Sequence, residues 1–137
     1  MSDLIYNKFK EYMADGTMDL DNDAFKIMLT TSSYTPVATH SVKADVDNEV
    51  SGAGYTAGGA TLQNVTWTES SGTVTFDATD ISWTTATFTA RYAVIYDDTP
   101  SSPLDPLVCL IDFGADKSVT AGTFTIQFHA NGIFTLT

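Results

Sequence analysis

"TFTARYAVIYDD", residues 87–98, decides how this chain is read. Apolar side chains fall at every second position, Phe88, Ala90, Tyr92, Val94 and Tyr96, with Thr87, Thr89 and Arg91 between them. Successive side chains of a strand point to opposite faces, so the alternation predicts an antiparallel strand with one dry and one wet face. The same device recurs on both sides. "AFKIMLTT" (24–31) aligns Phe25, Ile27 and Leu29, "NVTWTES" (64–70) aligns Val65 and Trp67, and "TVTFDA" (73–78) aligns Val74 and Phe76. "LVCLIDF" (107–113) is apolar at both parities and reads as a central strand. In "GTFTIQFHANGIFTLT" (122–137), Phe124, Ile126 and Phe128 share a face, and Asn131-Gly132 predicts a two-residue hairpin turn closing "TIQFHA" onto "IFTLT". Seven or eight short strands between Gly, Pro, Asp and Ser turns describe an all-β fold, an antiparallel β-sandwich of jelly-roll type.

Only the start departs from period two. Residues 3–13 predict a short amphipathic helix capped by Ser2 or Asp3, with Ile5, Phe9, Tyr12 and Met13 on one face and Gly16 at its end. So short a helix is marginal alone, and its stripe must dock on its own domain or on a neighbour. Residues 1–16 are therefore read as an N-terminal helix or arm, and 17–137 as a single β-sandwich domain. "DDTPSSPLDP" (97–106) is a proline-punctuated loop within that domain.

The net charge of −11 arises from 17 acidic against 6 basic residues. Phosphate binding needs clustered Lys and Arg, so nucleic acid is excluded as a direct partner. Charged residues are 17% of the chain, below the ~25% of an average soluble protein, so much of the polar surface is neutral, chiefly threonine. Cys109 is the only cysteine, which rules out an internal disulfide, and its apolar surroundings describe a buried, inert thiol. "MSDLIYNKFKEYM" shows neither a signal peptide nor a membrane span, and synthesis in the cytosol is expected.

Glycines concentrate in "EVSGAGYTAGGATL" (49–62), at Gly52, Gly54, Gly58 and Gly59. A Walker loop would need a Gly-Lys-Ser/Thr ending that opens a helix, but no lysine lies between Lys43 and Lys117 and a strand pattern follows. The segment reads instead as a permissive loop or a flat arm lying against another surface, with Tyr55 as its anchor. Asp19, Asp21 and Asp23 have the one-three-five spacing that begins a calcium loop, but Ala24 stands where glycine is needed and Thr30 where the bidentate glutamate belongs. A solvated acidic turn is the expectation, with a weak cation site as the alternative. Asp77, Asp80, Asp97 and Asp98 read as loop carboxylates. His40 and His129, the only histidines, lie in no hydrolase or zinc motif, so catalysis is not expected. Trp67, Trp83, Tyr34, Tyr55 and Tyr96 could stack sugar rings, though the tryptophans fall on core parity; Tyr34, in "SSYTPVATH", is the most loop-like.

Taken in order, "IYNKFKEYMADGTMDLDNDAFKIMLTTSSYTP", "NEVSGAGYTAGGATL", "ARYAVIYDDTPSSPL" and "LIDFGADKSVTAGTFTIQFHANGIFTL" resemble a family of small virion proteins of tailed bacteriophages. The resemblance spans nearly the whole chain and lies in the order and spacing of the segments. It implies a β-rich particle component without catalysis or cofactor, made in the host cytoplasm and carried in the virion. The preferred placement is a head decoration (cement) protein that binds the major capsid protein and itself, as a homotrimer, without membrane or nucleic-acid partners. High negative charge suits a component that must stay monodisperse before assembly. Contacts are expected from the helix (Ile5, Phe9, Tyr12) and the glycine arm (Gly52, Gly54, Tyr55, Gly58, Gly59), with the sandwich folding without either. The alternative is a tail fibre or tip subunit touching host-surface glycans, with Tyr34 as the exposed aromatic.

Overall fold

A computed structural model describes residues 3–137. These form strands β1 (Leu4–Ile5), β2 (Phe25–Thr30), β3 (Ala60–Thr61), β4 (Thr66–Ser70), β5 (Thr73–Asp77), β6 (Ile81–Asp97), β7 (Leu107–Ile126) and β8 (Phe134–Leu136), with helix α1 (Asn7–Ala14) and a 3-10 turn at Lys43–Asp45. Every strand pair is antiparallel. One sheet runs β1-β7-β6-β2-β3 and the other β4-β5-β8.

The fold is all-β, and one apolar cluster is common to both sheets. Phe25, Ile27 and Leu29 of β2, Trp83 and Phe88 of β6, and Phe124 and Ile126 of β7 share it with Phe76 of β5. Phe76 is the centre of an aromatic nest, 5.3 Å from the Phe25 ring, 5.2 Å from Phe134 and 6.3 Å from Trp67. A second cluster, Tyr6, Met28, Tyr34, Tyr92, Val94, Tyr96, Leu107 and Leu110, covers the other face of the large sheet.

The parity expected of residues 87–98 holds for only half of that stretch. Phe88 and Ala90 face the first cluster, but Tyr92, Val94 and Tyr96 face the second, and Ala93 and Ile95 take their place. The change coincides with a break in register: Ala90 pairs with Lys117 and Tyr92 with Asp112, so a step of two on β6 faces a step of five on β7. Such irregularities bend the ladder and increase its local twist, and the alternation of β6 changes sides at this point. A second break separates Trp83 from Ala86, where Thr85 sits at φ +49°. β6 is consequently buried on both faces from Tyr92 onward, and there the expected wet face does not exist.

Two local expectations are corrected. Asp3 does not cap the helix: Leu4 and Ile5 pair with Leu110 and Cys109, Asp3 Oδ1 accepts the Asp112 N–H at 2.7 Å, and the helix begins only at Asn7. The other proposed cap, Ser2, lies outside the described residues. Pairing with β7 satisfies the Leu4–Ile5 backbone better than a further turn of a helix too short to be stable alone. Asn131-Gly132 does not close a hairpin either. The chain crosses there to the other sheet, with the Gly132 N–H on the His129 carbonyl and the Ile133 N–H on that of Phe76, and β8 pairs with β5. Burial of Phe134 against Phe76, Trp67 and Phe9 outweighs the local turn preference.

Phe76→Ala should remove about 3–5 kcal/mol of unfolding free energy, as expected for a fully buried aromatic. Thr66→Ala, exposed on β4, should change it by less than ~0.5 kcal/mol. Urea unfolding of both variants measures the contrast.

Candidate assembly surface

The glycine segment is a strap on its own sheet. β2 accompanies β6 only as far as the Thr30–Tyr92 pair. Glu49 then bridges to Thr30 and Ala53 to Thr87, so the strap continues as β6's neighbour where β2 has ended. Such approach needs bare backbone. A Cβ at Gly54 would lie 2.8 Å from both the Ala86 Cα and the Thr84 carbonyl oxygen. Gly59, at φ +84°, lies so close to β2 that a Cβ would run into the Ile27 carbonyl. Gly52 likewise abuts the Thr87 carbonyl. Tyr55 is the anchor, as expected, but it anchors inward: its hydroxyl donates to Glu49 Oε2 at 2.6 Å and accepts the Leu29 N–H at 3.0 Å. Its ring packs on Trp83 and Phe88. Glu49 also accepts the Gly58 N–H at 2.7 Å, and the Tyr96 hydroxyl donates to the Gly58 carbonyl at 2.6 Å. Burial and the Glu49 carboxylate push the Tyr55 phenol well above its ordinary range, so it remains a donor. Gly52, Gly54, Tyr55, Gly58 and Gly59 are thus brought together, but by folding, and the strap is not separable from the sandwich.

The helix is engaged in the same way. Phe9 is fully buried, edge-on to Phe134 at 5.6 Å, and Tyr12 and Met13 pack beside it on the first cluster together with Ile5 of β1. The acidic turn is occupied by its own backbone: Asp19 Oδ1 accepts the N–H groups of Asp21 and Asn22, and Asp23 Oδ2 accepts that of Asp19. The Asn22 side-chain amide, donating to Asp19 Oδ2 at 3.0 Å, and then the Asp21 and Asn22 N–H groups hold the Asp19 carboxyl below its usual range. Among the described residues no three His, Cys, Asp or Glu side chains converge as a metal site.

Tyr34, expected to be exposed, is 2% accessible. Its hydroxyl bonds Tyr6 at 3.1 Å and His40 Nδ1 at 2.9 Å, so it closes the second cluster. Trp83 is buried and Trp67 half-buried, which places both in the core as their parity implied. Cys109 is buried, and its surroundings push the thiol up and keep it protonated. His129 Nδ1 accepts the Asn131 N–H.

One carboxylate escaped the sequence reading. Asp97 belongs to β6, not to a solvated loop, and is 0% accessible. Its Oδ1 accepts the Thr99 N–H at 3.0 Å, while Oδ2 is buried without a hydrogen-bond donor. Burial first, then the adjoining Asp23 carboxyl, push its pKa up to about 8. Only its place at the end of an unusually long apolar run hints at this.

Uncovered apolar surface lies elsewhere. β1 covers β7 only at Cys109 and Leu110, and beyond the Asp3–Asp112 contact no strand lies on that edge among the described residues. Beside this edge the two sheets part. A hollow of ≈ 220 Å³ between them is lined by Leu4, Ile5, Cys109, Ile111, Ile133 and Phe134. Two more, of ≈ 300 and ≈ 220 Å³, continue it past Phe113, Phe124, Ile126 and Phe128 and share Ile111 with it. The exposed Asp116 and Lys117 blunt the edge against indiscriminate strand addition. At the tip of the proline loop, Leu104 is 64% accessible.

Tyr55→Phe should lower stability by about 1–3 kcal/mol, because it strands the buried Leu29 N–H and the Glu49 carboxylate. It should also raise amide exchange at Leu29, Val50 and Thr87; a free arm would leave those amides unchanged. Comparison of the chain with protein-family models, with curated proteins and with solved structures finds no match.

Proposed function

We propose that this chain is a non-enzymatic structural subunit of a tailed-phage virion, a head decoration protein that binds the major capsid protein and assembles as a homotrimer. The order of its sequence segments supports the phage setting. The structural observation that carries the assembly role is the unpaired outer edge of β7 beside hollows with largely apolar linings, a surface that gains free energy when another chain covers it. In this reading the two sheets are the layers of a jelly-roll sandwich, supported by the apolar cluster common to both. To the helix and glycine strap, which are also engaged in the fold, this reading adds the β7 edge as a contact. The tail-fibre alternative loses its exposed aromatic with the burial of Tyr34.

Quantitative mass spectrometry of purified virions should give a copy number equal to, or a simple fraction of, that of the major shell protein. A handful of copies per particle would move the chain to the tail, and complete absence would overturn the virion reading. Gln127→Trp, an exposed rim position of two of the hollows, should abolish co-sedimentation with particles at unchanged melting temperature.

A further inference from the structure

The base of the proline loop is closed around a carboxyl group that has no cation. Asp97 pairs with Phe25 at the mouth of the loop, and its N–H donates to the Pro106 carbonyl at 2.9 Å, so the chain leaves and returns at one residue. Two further bonds fasten the departing strand to the segment before β2, and a third steadies the turn that follows Asp97. Asp98 N–H donates to the Ala24 carbonyl at 2.8 Å, Ala24 N–H to Thr99 Oγ1 at 2.8 Å, and Thr99 N–H to Asp97 Oδ1 at 3.0 Å. The remaining oxygen, Asp97 Oδ2, is buried, accepts no hydrogen bond and faces the Asp23 carboxyl. Asp98 adds a third carboxylate on the loop side, and Asp105 a fourth beyond it. The nearby cations, Lys43 and Lys26, act on Asp105, and no ion pair to Asp97 is formed among the described residues. Two ionised carboxylates facing one another where one of them is fully buried, with no cation paired to it, are strongly disfavoured, whereas one proton between them satisfies both.

We propose that Asp97 is carried as a neutral carboxylic acid whose Oδ2–H donates to the Asp23 carboxylate, and that this shared proton is the latch holding the 98–106 loop closed on β2. The latch is independent of the assembly reading. Loss of the proton to solvent leaves adjoining anions at Asp97 and Asp23, and the strain is relieved when water reaches Asp97. That requires the Thr99 and Asp98 bonds to open and the loop, with Leu104 at its tip, to swing free. The sign follows from the proton being held more tightly in the closed state. The stabilisation is complete below the ordinary carboxylate range and is lost as pH rises through the titration of Asp97, so the loop is closed at pH 5 and loosened above pH ~8.

The test is carboxyl-carbon NMR of Asp97 from pH 4 to 9.5, together with amide exchange at Ala24, Asp98 and Thr99 referenced to Asp97→Asn. The asparagine NH2 can donate to Asp23 and its oxygen can accept from Thr99, but it cannot ionise. The wild-type carbon should titrate several pH units above the exposed aspartates, and its loop amides should exchange at least tenfold faster relative to the variant once it has titrated. Asp23→Asn, which removes the neighbouring charge, should move the Asp97 titration down, and it serves if the first variant fails to fold. Titration of Asp97 together with the exposed aspartates, or loop protection indifferent to its titration, would overturn the latch. Full restoration of protection at pH 9 by millimolar calcium would overturn it too, by reassigning the carboxyl pair to a cation.

Discussion

Side chains of β6 enter both apolar clusters, and the rest of the molecule is arranged around the point where they change sides. A strand with one uninterrupted parity can feed only one core per face. By stepping out of register with β7 between Ala90 and Tyr92, β6 sends Phe88 and Ala90 to one cluster and places three successive tyrosine and valine positions in the other. Sheet and helix then follow. β2 can pair only with the part of β6 that is buried on both faces, and the strap must take over where that part ends.

That division explains why the strap contains so much polar hardware. It runs backbone against backbone, so it buries peptide groups and little side-chain area. Glu49, Tyr55 and the Tyr96 hydroxyl supply hydrogen bonds that satisfy Leu29 and Gly58 where a regular ladder is missing. Buried polar groups of this kind give little net stability when satisfied and cost much when broken. They fix where the strap lies more than how tightly it is held.

Period-two patterning made β2, β4 and β5 legible in the sequence, because each lies within one stretch of unbroken parity. Trp67 and Phe76 were placed on the core side for the same reason. What could not be read is what depends on partners distant in sequence. The parity change in β6 falls where its register with β7 breaks, and the absent hairpin at Asn131-Gly132 goes with the aromatic nest around Phe76. Tyr34 looked like a loop residue until Tyr6 and His40 closed over it. Asp97 looked like the first residue of a turn, while its burial follows from Phe25 opposite it. The glycines were read as backbone freedom, and Gly52, Gly54 and Gly59 use it to lie against the chain's own β6 and β2.

The hollow between β1 and β8 brings together residues from opposite extremes of the chain, and Phe9 meets Phe134 directly. Such contacts close nearly the whole polypeptide into one loop, and a loop of that length costs entropy before any contact repays it. The ribbon of β6 and β7 can zip locally, whereas the small sheet gains its third strand only when β8 returns to β5 across the whole of that ribbon. The small sheet is therefore the part of the fold that local sequence guides least, and Phe76 reaches its full aromatic surroundings only when Phe134 has joined Phe25 around it.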